Sequence, residues 1–362
     1  MIRVLHVLDK ISVDSGASAV AMNYYKRLDH EKLTFDFMLN EDLDPKTRAY
    51  IEKNGSKIYI MPSLKARNLI KYVKALRAFF EDHDYKIVHG HIANSAVFYL
   101  GLAKNVPYRI IHSHNTKASD VYWKRFRNRV LTRFIKRVAN RYFACSSEAA
   151  GFLFGKNADA VILNNAINVE AHSFDQNKRD AIRAELRLEG KLVIGHVGRF
   201  CVQKNHEFLL EVFSGVYSKN SNAALVLIGD GELYQDTVKK AENLGLKDAV
   251  LFLGVRDDVG DYMNAMDIFV LPSLFEGLPL VAVEAQASGL RVCLSDKVSR
   301  DANITGDAVF LPLDKAAWVG SILEAKMQDR AESSQKIRGS PFDIETQAKT
   351  LVGYYENLPG VV

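Results

Sequence analysis

Short runs of β-branched and aromatic residues alternate with helix-length segments along the whole chain. The runs predict strands at 2–9, 35–39, 57–61, 86–91, 108–114, 141–146 and 160–164, then at 191–198, 223–229, 250–254, 267–272, 291–295 and 309–313. Most are continuously apolar, the pattern of parallel strands covered on both faces, and the helical segments between them supply the cover. Thirteen strands are better accommodated in two sheets than in one, so the expected class is α/β with two doubly wound, Rossmann-like domains. The polar stretch 165–180 has no strong periodicity and reads as a connector and hinge, with the first domain expected over 1–166 and the second over 167–341. Beyond it, Phe342, Ile344, Ala348, Leu351, Tyr355 and Leu358 recur at helical spacing. A helix over 342–358 is therefore expected to pack back on the first domain.

Composition narrows the class. The 362 residues are 48% hydrophobic and 25% charged, as in a soluble two-domain protein. Cys145, Cys201 and Cys293 are widely spaced, which suggests neither a disulfide framework nor a zinc site and fits a reducing cytoplasm. The start of the chain lacks a signal-peptide core, and no apolar run approaches the roughly 20 residues of a spanning helix, so nothing is expected to cross a membrane. Charge is uneven: residues 1–166 hold 27 Lys plus Arg against 15 Asp plus Glu, and the remainder 21 against 28. Much of the excess lies in 122–141, with eight Lys plus Arg and no acid. There Trp123, Phe126, Val130, Leu131, Phe134, Ile135 and Val138 recur at helical spacing. Two readings of this basic amphipathic helix stand: an ordinary sheet-packing helix with a basic solvent face, or a peripheral contact with anionic lipid at the inner face of the cell membrane. A nucleic-acid partner is not expected, because no recognised binding motif is present and the second half is acidic.

In open parallel sheets ligands sit beyond the carboxyl ends of the strands, which directs attention to the strand-to-helix loops. Glu276 lies in the loop after 267–272, Pro279 suits the first turn of the next helix, and Glu284 lies within that helix. The pair does not have the look of a glycosidase acid and base. It reads as a set of hydroxyl acceptors, with the amides of Gly277, Leu278 and the following turn directed at an anion, or alternatively as ordinary solvated or ion-paired glutamates. Arg199 follows 191–198 directly and Lys204 precedes a helix, two cations suited to a diphosphate. Gly229 and Gly231 flank Asp230 at the same position after the next strand, a place for close backbone approach, and the loop 252–259 with Arg256 completes a ring of such loops. His89, His91, His112 and His114 end two strand candidates. Alternation along a strand and the scarcity of nearby carboxylates or thiols favour hydrogen bonding over a metal cluster. Asp42 with Asp44, and Asp82 with Asp84, sit in polar loops and read as solvated.

The blocks GHVGRF…QKNH, LIGDGEL, FLGVRDDV and PSLFEGLPLVAVEAQASGL resemble the signatures of the retaining nucleotide-sugar glycosyltransferases of family 4, which have the GT-B fold. The Glu276-x7-Glu284 spacing matches that family's paired glutamates. The likeness continues through SGASAVAMNYYKRL, FDFML, HSHNT and FACSSEAAGFLFG and so covers nearly the whole chain, with the bacterial exopolysaccharide and capsule type as the most similar subgroup. The resemblance implies two parallel sheets facing across a cleft, an acceptor-binding first domain and a nucleotide-sugar-binding second domain. It implies Glu284 on the ribose hydroxyls, Glu276 on the donor sugar, Arg199 and Lys204 on the diphosphate, His114 near the donor sugar with Asn115 beside it, and neither metal nor other cofactor. The expected donor is a UDP-sugar and the expected acceptor a growing glycan or lipid-linked oligosaccharide. Where the family often has a Gly-Gly pair, this chain reads Asp14-Ser15-Gly16-Ala17-Ser18, leaving Gly16 alone for backbone approach to phosphate. Asn164-Asn165-Ala166-Ile167-Asn168 replaces the family's Asn-Gly-Ile-Asp and reads as a structural turn. Two alternatives stand: a GT-B sugar-nucleotide epimerase, and a catalytically silent nucleotide-sugar-binding scaffold. A dinucleotide-dependent dehydrogenase is excluded by the missing GxGxxG after the first strand.

Overall fold

The computed structural model describes residues 1–12, 16–114, 132–155, 157–276, 278–325, 330 and 332–361. Two compact units are present, Met1–Ala166 with Ile344–Val362, and Ile167–Asp343. In the first, β1 (Ile2–Val7), β2 (Leu33–Leu39), β3 (Ile58–Ile60), β4 (Ile87–Gly90), β5 (Tyr108–Ser113), β6 (Arg141–Ala144) and β7 (Val161–Ile162) form a sheet ordered β3-β2-β1-β4-β5-β6-β7. In the second, β8 (Leu192–Val197), β9 (Ala223–Ile228), β10 (Val250–Phe252), β11 (Ile268–Leu271), β12 (Arg291–Ser295) and β13 (Val309–Leu311) are ordered β10-β9-β8-β11-β12-β13. Every pairing is parallel. The order reverses between β1 and β4 and between β8 and β11, the switch points at which a ligand crevice opens.

Successive strand residues feed opposite apolar layers, which is why the strands read as unbroken hydrophobic runs. Leu225, Leu227 and Val270 pack into one cluster of the second unit, whereas Val226, Phe269 and Leu271 pack into the other. In the first unit all of β2 is buried, including Asp36, whose carboxylate accepts from Arg3 Nη1, Lys57 N and Tyr85 Oη at 2.7 Å each.

The expected connector over 165–180 is shorter than its polarity suggests. A helix already begins at Gln176 (Gln176–Leu186), its start capped by the Asp175 carboxylate, which accepts from Asn177 N and Lys178 N. The inward face of this helix is cationic, which hides it from any hydrophobic pattern. Arg179 Nη2 and Arg183 Nη2 donate to the two oxygens of the buried Asp267 at 2.5 and 2.6 Å. Arg330 donates to the carbonyls of Ser288, Met263, Asn264 and Met266 close by.

Residues 122–131 of the basic segment lie outside the described residues. In the remainder Thr132 is helical, a short helix spans Ile135–Val138 and Arg141 opens β6, so the expected helix does not reach 141. Ile135 is buried while Lys136 and Arg137 are exposed. Asp44 caps the helix Pro45–Lys53 by accepting from Thr47 N at 2.9 Å, Asp42 pairs with Arg48, and Asp82 and Asp84 are exposed. Among the described residues no helix is long and apolar enough to cross a membrane.

Candidate active site

At the carboxyl edge of the second sheet three loops lie against one another. Gly198 N donates to Ile228 O at 3.0 Å, Phe200 N to Asp230 O at 2.9 Å, and Gly229 N to Gly254 O at 2.8 Å. The contact leaves no room for side chains. A Cβ on Gly229, whose φ is +138°, would lie 2.1 Å from Gly198 O, and one on Gly231 would lie 2.5 Å from Phe200 O. Asp230 accepts from Gly231 N at 2.8 Å, closing the turn locally.

After β8 a 3-10 turn, Val202–Lys204, ends at Asn205 in the left-handed region (φ 56°), which asparagine tolerates, and the helix His206–Lys219 follows. This turn sets Lys204 over Gly198, where a Cβ would meet Lys204 Cδ at 3.2 Å. Lys204 Nζ donates to Glu276 Oε1 at 2.6 Å, and Ser273 Oγ donates to the same oxygen at 3.2 Å. The two charged side chains are only 15% and 12% exposed, so their attraction is little screened. The loop bearing Glu276 is itself held: Leu274 N donates to Gln203 O at 2.8 Å, Gln203 Nε2 to Phe275 O at 2.9 Å, and Ser295 Oγ to Ser273 O at 2.5 Å. Glu276 also forms an isolated bridge with Val298.

Gly277 lies outside the described residues. Pro279 sits at the N-cap of Leu280–Ala287 without a side-chain cap, and Ala282 N in the first turn donates to Pro279 O at 3.0 Å. Leu278 is half-buried against the apolar layers beneath. Glu284, on this helix, has His172 Nε2 3.7 Å from its Oε1. His172 stands on the turn Glu170–His172, which packs on Gly260 so closely that a Cβ there would meet Ala171 O at 2.6 Å.

Two further expected cations are each paired with an acid. Arg199 is exposed and pairs with Glu232 at 3.0 Å. Arg256 pairs with Asp258 and lies 4.6 Å from the Tyr262 ring centre. Ser273, His196 and His206 stand inside the blocks PSLFEG, GHVGRF and QKNH but are not among the expected site residues. His206 stacks on Phe200, both its ring nitrogens are buried without a partner, and burial together with the Lys204 charge pushes its pKa down to about 4.

In the first unit Gly16 is exposed at the first position of the helix Gly16–Tyr25, and a Cβ there would meet nothing within 4 Å. Asn115 lies outside the described residues. His89 and His91 stack with ring centres 4.8 Å apart, and His112 and His114 with centres 4.1 Å apart. Alternation along a strand does not keep them apart as expected, because it separates neighbours in sequence, whereas residues two apart share a face. His6 of β1 joins them, stacked on His89 and His91. Among the described residues His89, His91 and His112 form a group whose ligand atoms lie within 4.8 Å of one another, a spacing compatible with a metal ion. All five imidazoles are pushed down by burial, His6 to about 3 and His114 to about 4.

Residues 178–329 match the family described as Glycosyl transferases group 1. EpsF of Bacillus subtilis (strain 168), which bears the name of a glycosyltransferase, is 36% identical over 310 residues, covering 82% of this chain and 80% of that protein. The UDP-Gal:alpha-D-GlcNAc-diphosphoundecaprenol alpha-1,3-galactosyltransferase of Escherichia coli is 27% identical over 315 residues, covering 82% of this chain and 79% of that protein. Among solved structures, Anabaena HepE in complex with UDP-glucose superposes with a TM-score of 0.80 at 17% identity, covering 99% of this chain and all of that one.

Proposed function

Because this chain belongs to the group 1 glycosyltransferases and has the GT-B fold, we propose that it is a retaining enzyme that moves a sugar from a UDP-sugar to a growing bacterial polysaccharide or lipid-linked oligosaccharide. The observation that carries the reading is the half-hidden Lys204–Glu276 pair, set beside an uncapped helix start and the glycine turn at 229–231. A diphosphate offers Lys204 more negative charge than one carboxylate does, and Arg199 joins it by leaving its exposed partner Glu232. Freed from Lys204, Glu276 accepts from donor-sugar hydroxyls while Glu284 accepts from the ribose.

In the transfer step the bond from the anomeric carbon to phosphate oxygen breaks and the bond to the acceptor oxygen forms on the same face. The acceptor proton passes to the leaving phosphate. Charge accumulates on that phosphate, so cations and amides already in place lower the barrier without reorganising. The Escherichia coli relative, named for a UDP-galactose donor and a lipid-linked acceptor, supports this choice of substrates.

Calorimetry with UDP, GDP, ADP and UDP-sugars tests the donor. One nucleotide is expected to bind, and Glu284→Ala to weaken it about tenfold or more, the loss for charged hydrogen bonds to the ribose. Failure of the folded protein to bind any of them overturns the reading. Product analysis without acceptor distinguishes an epimerase, and turnover of any donor excludes a silent scaffold.

The basic segment 122–141 is proposed to touch anionic lipid and bring the enzyme to its acceptor. At low salt, liposomes containing anionic lipid are expected to sediment the protein and to release it as salt rises. Equal sedimentation with neutral liposomes would count against it.

A further inference from the structure

Six side chains of the first unit form one line of hydrogen bonds. It runs from His114 Nε2 to His91 Nδ1 at 2.8 Å, from His91 Nε2 to His6 Nδ1 at 3.0 Å, and from His6 Nε2 to the Tyr355 hydroxyl at 3.5 Å. It continues from that hydroxyl to His89 Nδ1 at 2.6 Å and from His89 Nε2 to His112 Nδ1 at 3.2 Å. The two ends, His114 Nδ1 and His112 Nε2, are buried and unpartnered. Tyr355 belongs to the helix Ile344–Glu356, so the C-terminal segment of the chain supplies the middle of the line.

A neutral imidazole has one N–H and one lone pair, and a phenol has one O–H and acceptor lone pairs. An imidazole that donates on one side must then accept on the other, and a phenol that donates its O–H within the line accepts on its other side, so with the Tyr355 hydroxyl used in the line all five links point the same way and two proton patterns remain. In one, His114 carries its proton on Nδ1; in the other, on Nε2. Tyr355 decides between them. A phenol O–H is a stronger donor than a neutral imidazole N–H, and the short contact of this hydroxyl, 2.6 Å, is to His89, against 3.5 Å to His6. Tyr355 donates to His89 and accepts from His6. Following the protons outward, His6, His91 and His114 each carry theirs on Nε2, which leaves His114 Nδ1 as a bare lone pair and the N–H of His112 as the unpaired end.

We propose that this line fixes His114 as a neutral hydrogen-bond acceptor for a substrate hydroxyl, with Tyr355 as the positioning residue that sets its tautomer through His6 and His91. The inference rests on the reading of His114 as a substrate-binding residue of a glycosyltransferase. The same line disfavours a metal ion among these histidines, because each inner nitrogen already has a partner that the ion would displace.

Removing the phenol hydroxyl deprives His6 Nε2–H of its acceptor. Neither direction of the segment from His6 to His114 then has a partner that favours it, so the preference is lost and a share of the molecules carries the His114 proton on Nδ1, where it no longer accepts. The test is long-range proton–nitrogen NMR of the full chain with 15N-labelled histidine, for the unsubstituted protein, Tyr355→Phe and His6→Phe, with transfer kinetics on each and on His114→Ala.

The expected result is His114 protonated on Nε2 in the unsubstituted protein and a mixture of Nε2–H and Nδ1–H in the variants, with kcat/KM falling by up to about tenfold, the worth of one lost hydrogen bond. Should a variant fail to fold, the tautomer in the unsubstituted protein alone decides: Nδ1–H overturns the proposal. An unchanged tautomer in folded variants, or stoichiometric zinc in the purified protein bound at these rings, overturns it too. Full activity of His114→Ala instead sinks the substrate-binding reading of His114, a failure that the NMR of Tyr355→Phe distinguishes from failure of the line itself.

Discussion

Lowering the pH from 7 to 5 is expected to unfold the first unit before the second. His6, His89, His91, His112 and His114 are neutral in the fold, held below the usual imidazole range by burial. In the unfolded chain they titrate near 6.5. Below that value the unfolded state binds protons that the folded state refuses, so stability is fully present above about pH 6.5 and is lost as pH falls toward the folded values of about 3 for His6 and about 4 for His114. Each histidine that stays neutral costs about 2 kcal/mol at pH 5. Five in one unit set an upper limit of roughly 10 kcal/mol if all stay neutral, on the scale of a whole domain's stability. The second unit has two buried histidines of this kind, His196 and His206, and so loses less. Trp318 is fully buried in the second unit and reports on it alone once Trp123 is changed to Phe. Circular dichroism is expected to show a partial loss near pH 5 while Trp318 fluorescence stays native. Coincident transitions, or a Trp318 change that comes first, would contradict the assignment.

Lys204→Ala is expected to lower kcat by about 10²–10³, the cost of removing one preorganised group from a site of developing charge. Two effects combine. The leaving phosphate loses a cation that is held 2.6 Å from Glu276 in the free enzyme, and Glu276, only 12% exposed, loses its counterion. The second effect also costs about 1–3 kcal/mol of stability, which thermal unfolding measures separately. Glu276→Gln separates the two: it keeps the shape, relieves the unpaired charge in the double variant, and recovers stability there without recovering turnover. A kcat within threefold of the unsubstituted enzyme for folded Lys204→Ala would reduce the pair to a structural contact. Arg199→Ala is the natural companion, because its exposed partner Glu232 leaves no buried charge behind.

The α/β class and all thirteen strands were legible along the chain, because strands covered on both faces are apolar at every position and this signal is local. The glycines at 229 and 231, Lys204, Glu276 and Glu284 were legible as candidates for the same reason: each stands in a short segment whose strand, loop and helix can be read in order. Three features could not be read that way. The helix from Gln176 was hidden because its inward residues, Arg179 and Arg183, are buried by pairing with Asp267, which lies about ninety residues away in sequence. Arg199 and Arg256 look equivalent to Lys204 as loop cations, yet they turn to Glu232 and Asp258, and only the fold around each loop decides which acid is within reach. The histidine line joins residues 6, 89, 91, 112 and 114 to Tyr355 near the opposite end of the chain. Periodicity assigns each of them to a strand or helix. It carries no information about which strands adjoin, and parallel pairing of β1 with β4 and of β4 with β5 is what stacks those rings and sets their protons in one direction.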